Sequence, residues 1–470
     1  MSDPTWISIL PPVLAIVLAI WTRQVYLSLA GGIWFAWTIL LGWSPIAALG
    51  ATVESTVSVF GEAGDARVIM FTLVIGALIA TVEASGGVRG FVGWLESNHW
   101  VNTAKRSQLL AWGTGVVIFI ESNITVLVAG SVARPLFDRY KCSREKLAYI
   151  IDSTSAPICI LIPMNAWGAY NLGILEGLGV ENALGVFLTS ILFNFYAMAA
   201  VLLVLFVILF GIDIGPMKKA EARTQRGELL WPGATPMIDE EVLSPPPLEG
   251  TTPAARNMVL PIASMVLFMP IALYITGDGD LRDGSGSTSV LWSVLVGLGV
   301  AWVMLKAQGI FTVDELVRVA LKGAGALVPL ALILLLALAL GDVVEALGTG
   351  VYVAQVTAGT MPNWVYLPLV FLVSGGIAFS TGTSWGTFAI MLPIAVPAAM
   401  TLELPLAPFV AASLAGGIFG DHCSPISDTT IISSMAAATD HIDHVRTQLP
   451  YALIGGAVAV VCFALLGATL

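Results

Sequence analysis

The chain has 470 residues, of which 57% are hydrophobic and only 11% charged, with a mean hydropathy of +0.89. Soluble domains carry roughly 25% charged residues, so a soluble fold is excluded and an all-α polytopic membrane protein, with the lipid bilayer as its solvent, is expected. The net charge of −11 argues against nucleic acid as a partner, and Cys142, Cys159, Cys423 and Cys462 lack the paired spacing of a disulfide framework or metal knuckle.

No basic residue precedes the first apolar run, 6–21, and Arg23 follows it. That is the reverse of a signal peptide's charged front end, so this run is expected to be retained as a helix. Runs near 25–43, 67–85, 146–170, 183–211, 256–276, 288–305, 324–346, 408–435 and 448–470 complete about ten expected transmembrane helices. Two more apolar stretches, 107–134 and 364–403, are interrupted by Glu121-Ser122-Asn123-Ile124-Thr125 and by Ser380-Thr381-Gly382-Thr383-Ser384. Irregular backbone at membrane depth is tolerated only against protein or a water-filled cavity, so both read as re-entrant hairpins. The stretch 212–255, proline-rich and of mixed charge, reads as a cytoplasmic linker without a core of its own.

This topology puts all but Arg67 and Arg282 of the 20 Lys and Arg residues on one side, as the positive-inside rule requires. Both termini then lie outside. A rival count makes each hairpin a single span, giving twelve helices in all.

The halves 1–211 and 256–470 match in order. Thr81-Val82-Glu83-Ala84 answers Val343-Val344-Glu345-Ala346, and one interrupted hairpin answers the other. Asp152-Ser153-Thr154-Ser155-Ala156-Pro157 answers Asp421-His422-Cys423-Ser424-Pro425. An odd number of crossings per half makes these inverted-topology repeats, with broken helices (146–170 and 408–435) meeting at the midplane. That arrangement is a transporter signature.

The polar residues left at membrane depth are the candidate site. They are Ser122, Asn123, Thr125, Asp152 and Ser153 in the first half, and Ser380, Thr383, Ser384, Asp421, Ser424, Asp428 and Thr429 in the second. All are hard oxygen donors, with several acids and no Lys or Arg among them. A cation is therefore favoured over an anion. A carboxylate in a partly dry cavity holds either a proton or Na⁺, and that competition with alternating access suffices for antiport. Asp421 and Asp428, with Asp152 opposite, are the expected exchanging carboxylates and Na⁺ ligands. Glu121 and His422 are candidate proton relays.

Bland readings stand beside these. Asp421 and Asp152 could merely accept from backbone N–H groups freed at the breaks, Asp428 could pair with His422, and Glu121 could hold a hairpin tip at the membrane surface. Glu83 and Glu345 are better read as helix ends, and His441 and His444, beside Asp440 and Asp443, as a solvated turn. Gly382-Thr383-Ser384-Trp385-Gly386 matches a nucleophile-elbow pattern but lacks its soluble strand-to-helix setting. There is no phosphate-binding GxxxxGK[ST] and no HExxH. An enzyme is not expected, nor is a cofactor, and energy must come from an ion gradient.

Residues 420–453, GDHCSPISDTTIISSMAAATDHIDHVRTQLPYAL, resemble the signature region of the NhaC-type Na⁺/H⁺ antiporter family within the Ion Transporter superfamily. The resemblance implies a prokaryotic plasma (inner) membrane carrier, often a homodimer, with ions bound at the hairpin tips and helix breaks. Some relatives exchange organic or amino acids, and Ser122-Asn123-x-Thr125 resembles the hairpin of carboxylate carriers. Na⁺/H⁺ antiport is thus the leading expectation. Na⁺- or H⁺-coupled transport of a small carboxylate or amino acid is the alternative, and a channel or sensor a third class.

Overall fold

The computed structural model describes residues 5–22, 24–97, 102–119, 122–163, 165–236, 253–279, 284–349, 352 and 362–470, without the side chains of 20, 92, 93, 95–97, 123, 124 and 131. Every regular element among them is helical. The first half runs α1 (Leu10–Thr22), α2 (Val25–Leu40), α3 (Pro45–Ser58), α4 (Ala63–Ala84), α5 (Gly87–Ser97), α6 (Ala104–Val117) and α7 (Ser122–Arg139). It continues through α8 (Arg144–Ser153), α9 (Ala156–Leu161), α10 (Ala166–Gly177), α11 (Ala183–Ile191) and α12 (Phe195–Phe210). After α13 (Gly215–Gln225) come α14 (Arg256–Thr276), α15 (Gly286–Ala307), α16 (Val313–Ala326) and α17 (Val328–Ala346). The chain closes with α18 (Asn363–Thr381), α19 (Ser384–Thr401), α20 (Leu406–Cys423), α21 (Asp428–Ala437) and α22 (His441–Gly467).

Polar caps start the helices that matter for the site. Ser143 accepts from Lys146 N–H to start α8, Asn165 from Gly168 N–H to start α10, and Ser427 from Thr430 N–H to start α21. Asp440 accepts from both Ile442 and Asp443 N–H at the head of α22.

Among the described residues, eight helices are long and apolar enough to cross a membrane. At about 1.5 Å per residue, 18 residues reach about 27 Å. Six of the eight answer expected spans, and the other two, Asn363–Thr381 and Ser384–Thr401, are the arms of the second expected hairpin. The expected spans at 6–21 and 25–43 are shorter helices, and 146–170 is interrupted. The second hairpin therefore differs from a half-depth loop: its polar pentapeptide is flanked by two full-length apolar arms. The two arms are separate helices that meet at Gly382, whose φ of +69° is left-handed.

A correction concerns 212–255. Rather than running free as a linker, its first part folds as α13, with Met217, Ala220, Glu221, Arg223 and Thr224 buried against α8 and α22. The Arg223 guanidinium makes a two-pronged pair with Glu145 (2.7 and 2.9 Å), both side chains fully buried. Glu221 accepts from the Ser143 hydroxyl at 2.6 Å and its N–H at 2.7 Å. Composition argued against a core, but these residues borrow one from α8. Residues 237–252 lie outside the described set.

The largest core cluster joins α2, α10, α17, α18, α19 and α20 around Trp167, Tyr170, Phe371 and Phe388. Gly416 and Gly420, one turn apart on α20, let α18 approach at backbone distance. A Cβ on either would lie 2.3 Å from Phe371 O or 2.1 Å from Gly375 O. This small-xxx-small crossing brings the second hairpin's turn down onto the end of α20.

Candidate functional site

Two helix interruptions form the site. The first lies between α8 and α9, at Thr154 and Ser155. Thr154 donates back to Ile150 O (2.7 Å) and Ser155 to Asp152 O (2.8 Å), so these hydroxyls satisfy carbonyls that the break releases. Pro157 then opens α9. Asn165 ties this region to the first hairpin: the two N–H groups of its Nδ2 are shared among Phe119 O (2.9 Å), Cys159 O (2.8 Å) and Ile162 O (2.8 Å). In the hairpin itself, Thr125 donates to Ile118 O.

The second interruption, Ser424–Ser427, separates α20 from α21. Ser424 donates to Phe379 O at 2.7 Å, binding it to the arm of the second hairpin. His441 Nε2 lies 2.6 Å from Pro425 O and Nδ1 3.1 Å from Ser434 Oγ, so that histidine braces the unwound segment. Gly382, at the hairpin turn, is seated so closely that a Cβ there would stand 2.4 Å from Ile426 O.

Two carboxylates face inward at the breaks. Asp421, in the last turn of α20, is 1% exposed; its Oδ2 accepts from Ser384 Oγ at 2.7 Å and lies 3.5 Å from Thr429 Oγ1. Asp152, in the last turn of α8, is fully buried; its Oδ2 accepts from Gln448 Nε2 at 2.6 Å and Thr430 Oγ1 at 3.3 Å, with His444 Nε2 at 3.5 Å. Thr429 and Thr430 are consecutive on α21, so one helix start joins both carboxylates into one cluster. Gln448 Nε2 also donates to His422 O at 3.0 Å. The His422 ring lies 3.1 Å from Tyr196 OH through Nδ1. Several buried atoms in this cluster have no hydrogen-bond partner among the described residues: Asp152 Oδ1, Asp421 Oδ1, Gln448 Oε1 and His422 Nε2. The nearby cations are engaged elsewhere, Arg144 with Asp138, Lys146 with Asp213 and Arg223 with Glu145.

The other expected residues divide. Ser122 and Ser153 are buried in the two interrupted regions. Ser380 donates to Gly376 O on its own helix, and Thr383, half-buried, opens α19. Asp428 is exposed at the first position of α21 and accepts from Thr429 N–H at 2.8 Å. The three acids expected as one ligand set are not assembled: among the described residues no three His, Cys, Asp or Glu side chains converge to hold a metal ion. The reason is local, because Ser427 takes the capping position and leaves Asp428 to the outside. Glu121 lies outside the described residues, as does the side chain of Asn123.

Sequence reasoning missed Gln448 and placed His444 in a solvated turn, whereas His444 is fully buried beside Asp152. Their spacing was available: His444, Gln448 and Tyr451 fall at i, i+4 and i+7, on one face of the polar first turns of α22.

Long apolar helices, two of them interrupted where buried carboxylates meet hydroxyls, define a multi-pass membrane protein of the secondary-transporter class. The chain belongs to the Na⁺/H⁺ antiporter family, whose model matches residues 158–468. An uncharacterized protein of Haemophilus influenzae is 35% identical over 96% of this chain and 88% of its own length. The arginine/ornithine antiporter ArcD of Halobacterium salinarum is 29% identical over 46% of this chain and 42% of its own. In fold, the chain is similar to the YdaH transporter of Alcanivorax borkumensis, with a TM-score of 0.58, 13% identity, and 97% and 98% of the two chains covered.

Proposed function

We propose that the protein exchanges Na⁺ for protons across a prokaryotic plasma membrane, with Asp421 and Asp152 as the exchanging carboxylates. The observation that carries this reading is the pair of buried acids, 1% and 0% exposed, that no Lys or Arg contacts among the described residues. An ionised carboxylate without a counter-charge costs several kcal/mol in a dry interior. Asp421, with no cationic partner among the described residues, therefore takes up either a proton or a cation, and one occupant excludes the other; at Asp152, His444 Nε2 at 3.5 Å is a further place for the proton. Ser384 and Thr429 hydroxyls supply further oxygens beside Asp421, and Thr430 does so beside Asp152.

The halves 1–211 and 256–470 act as inverted repeats, with both termini outside. The second hairpin, seated on the α20–α21 break, is the element whose movement exposes the acids to one side at a time. The test is reconstitution in liposomes that enclose a pH-sensitive dye. A Na⁺ pulse drives protons across with the wild type, and Asp421→Asn abolishes the exchange. A wild type that moves no protons, or an Asp421→Asn variant that exchanges normally, overturns the reading.

A second reading draws on the likeness to the arginine/ornithine antiporter. Here the coupled species is a small organic ion, and the cation site provides the coupling. Accumulation of a labelled amino or organic acid under a Na⁺ gradient, without Na⁺-driven proton flux, favours it.

A further inference from the structure

We propose that Gln448 is a cation ligand and a selectivity determinant of the transport site, an inference that rests on the Na⁺ site proposed at Asp152 and Asp421. The amide's orientation follows from its neighbours. One end faces two acceptors, Asp152 Oδ2 at 2.6 Å and His422 O at 3.0 Å. Only an NH₂ group can satisfy both, because it carries two donors and the amide oxygen none. The carbonyl oxygen Oε1 is thereby left out of both contacts.

There it has no partner among the described residues, on a side chain 1% exposed. An unpaired buried polar atom is destabilising, and a leucine or methionine at this position would avoid it. The orphan atoms nearby share its character. Asp152 Oδ1, on the very carboxylate that Gln448 holds, is unpartnered, and so is Asp421 Oδ1, one residue before the carbonyl that Gln448 also holds. All three are hard oxygen acceptors without a donor. With one of the two carboxyls protonated, the set presents a single negative charge and neutral oxygens, which suits a largely dehydrated monovalent cation.

The amide thus has two faces with two duties. Nε2 joins α8 to α20 through α22, fixing the spacing between the two breaks. Oε1 supplies a neutral ligand whose position depends on that spacing, so it bears on which ion radius is accepted.

The experiment measures Na⁺, Li⁺ and K⁺ binding to the purified full-length protein and to Gln448→Met, a substitution of similar length that removes both amide functions. The expected result is a loss of Na⁺ affinity of about 10–100-fold, with a changed Na⁺/Li⁺ ratio. A purely structural role would lower the yield of folded protein, or weaken all cations equally; an unchanged ratio in folded Gln448→Met overturns the proposal. Should that variant not fold, the wild type labelled with ¹³C at the glutamine amide carbonyl decides. A Na⁺-induced shift of a glutamine carbonyl infrared band is expected, and its absence overturns the assignment. A wild type that binds no Na⁺ sinks the antiport reading itself, an outcome distinct from either.

Discussion

Gly382→Ala tests how the second hairpin is seated on the helix break. Two separable costs follow from the geometry. At φ +69° a side chain pays about 1–2 kcal/mol for the left-handed conformation. The new Cβ would also stand 2.4 Å from Ile426 O, a backbone atom that cannot rotate away. Overpacking of this kind costs typically about 1–3 kcal/mol, so the total is about 2–5 kcal/mol. Relief comes by lifting the hairpin off the break, which carries Ser384 away from Asp421, now 2.7 Å apart. The control is Gly376→Ala on the same arm, where a Cβ meets nothing within 4 Å; a helical Gly→Ala change there is neutral or slightly stabilising. Thermal unfolding in detergent and Na⁺-driven proton flux in liposomes are measured on both. Gly382→Ala is expected to lower both, and Gly376→Ala to leave both near wild type. Equal behaviour of the two variants would refute the seating.

Arg223→Met leaves Glu145 buried and unpaired, a loss of about 3–5 kcal/mol, whereas Arg223→Met with Glu145→Met recovers most of it in thermal unfolding. The recovery is incomplete because Arg223 also donates to Glu228 O and Leu229 O. A double variant no more stable than the single one contradicts the ion pair as the anchor of α13. A pH dependence follows at Asp440. Burial raises its carboxyl, but hydrogen bonds from Thr235, Asp443 and Ile442 N–H outweigh this and hold it below the usual carboxylate range. Its stabilisation of residues 231–236 is therefore complete above the ordinary value of about 4 and lost as pH falls through the lowered one. Hydrogen exchange of that segment is expected to be flat from pH 8 to 5 once corrected for intrinsic rates; opening between pH 8 and 6 would contradict it.

Much of this was legible in the chain because the bilayer simplifies the reading. Apolar length locates most of the long helices, and the combined polar and proline gap at Ser424-Pro425 marks a break, whereas Pro261, Pro270 and Pro450 sit inside continuous helices. Asp421, Asp152, Ser384 and Thr429 could be named as candidates because acids at membrane depth are costly and the hydroxyls lie in the same interrupted stretches. What was not legible depends on side-chain direction. Asp428 and Asp421 look alike in sequence, but Ser427 as the cap turns Asp428 outward. The burial of α13 escaped because its core is borrowed from Glu145 and Ser143, some 80 residues earlier. His444 was hidden by the acidic company of Asp440 and Asp443, which made a buried residue look like part of a solvated turn.

The central claim is that a proton and Na⁺ compete for the same buried carboxylates. Equilibrium Na⁺ binding to the purified protein across a range of pH tests it most directly. With one proton competing per Na⁺, the apparent dissociation constant rises about tenfold for each unit of acidification once protonated carriers dominate. It then levels off at alkaline pH. A dissociation constant that does not change with pH would contradict the account.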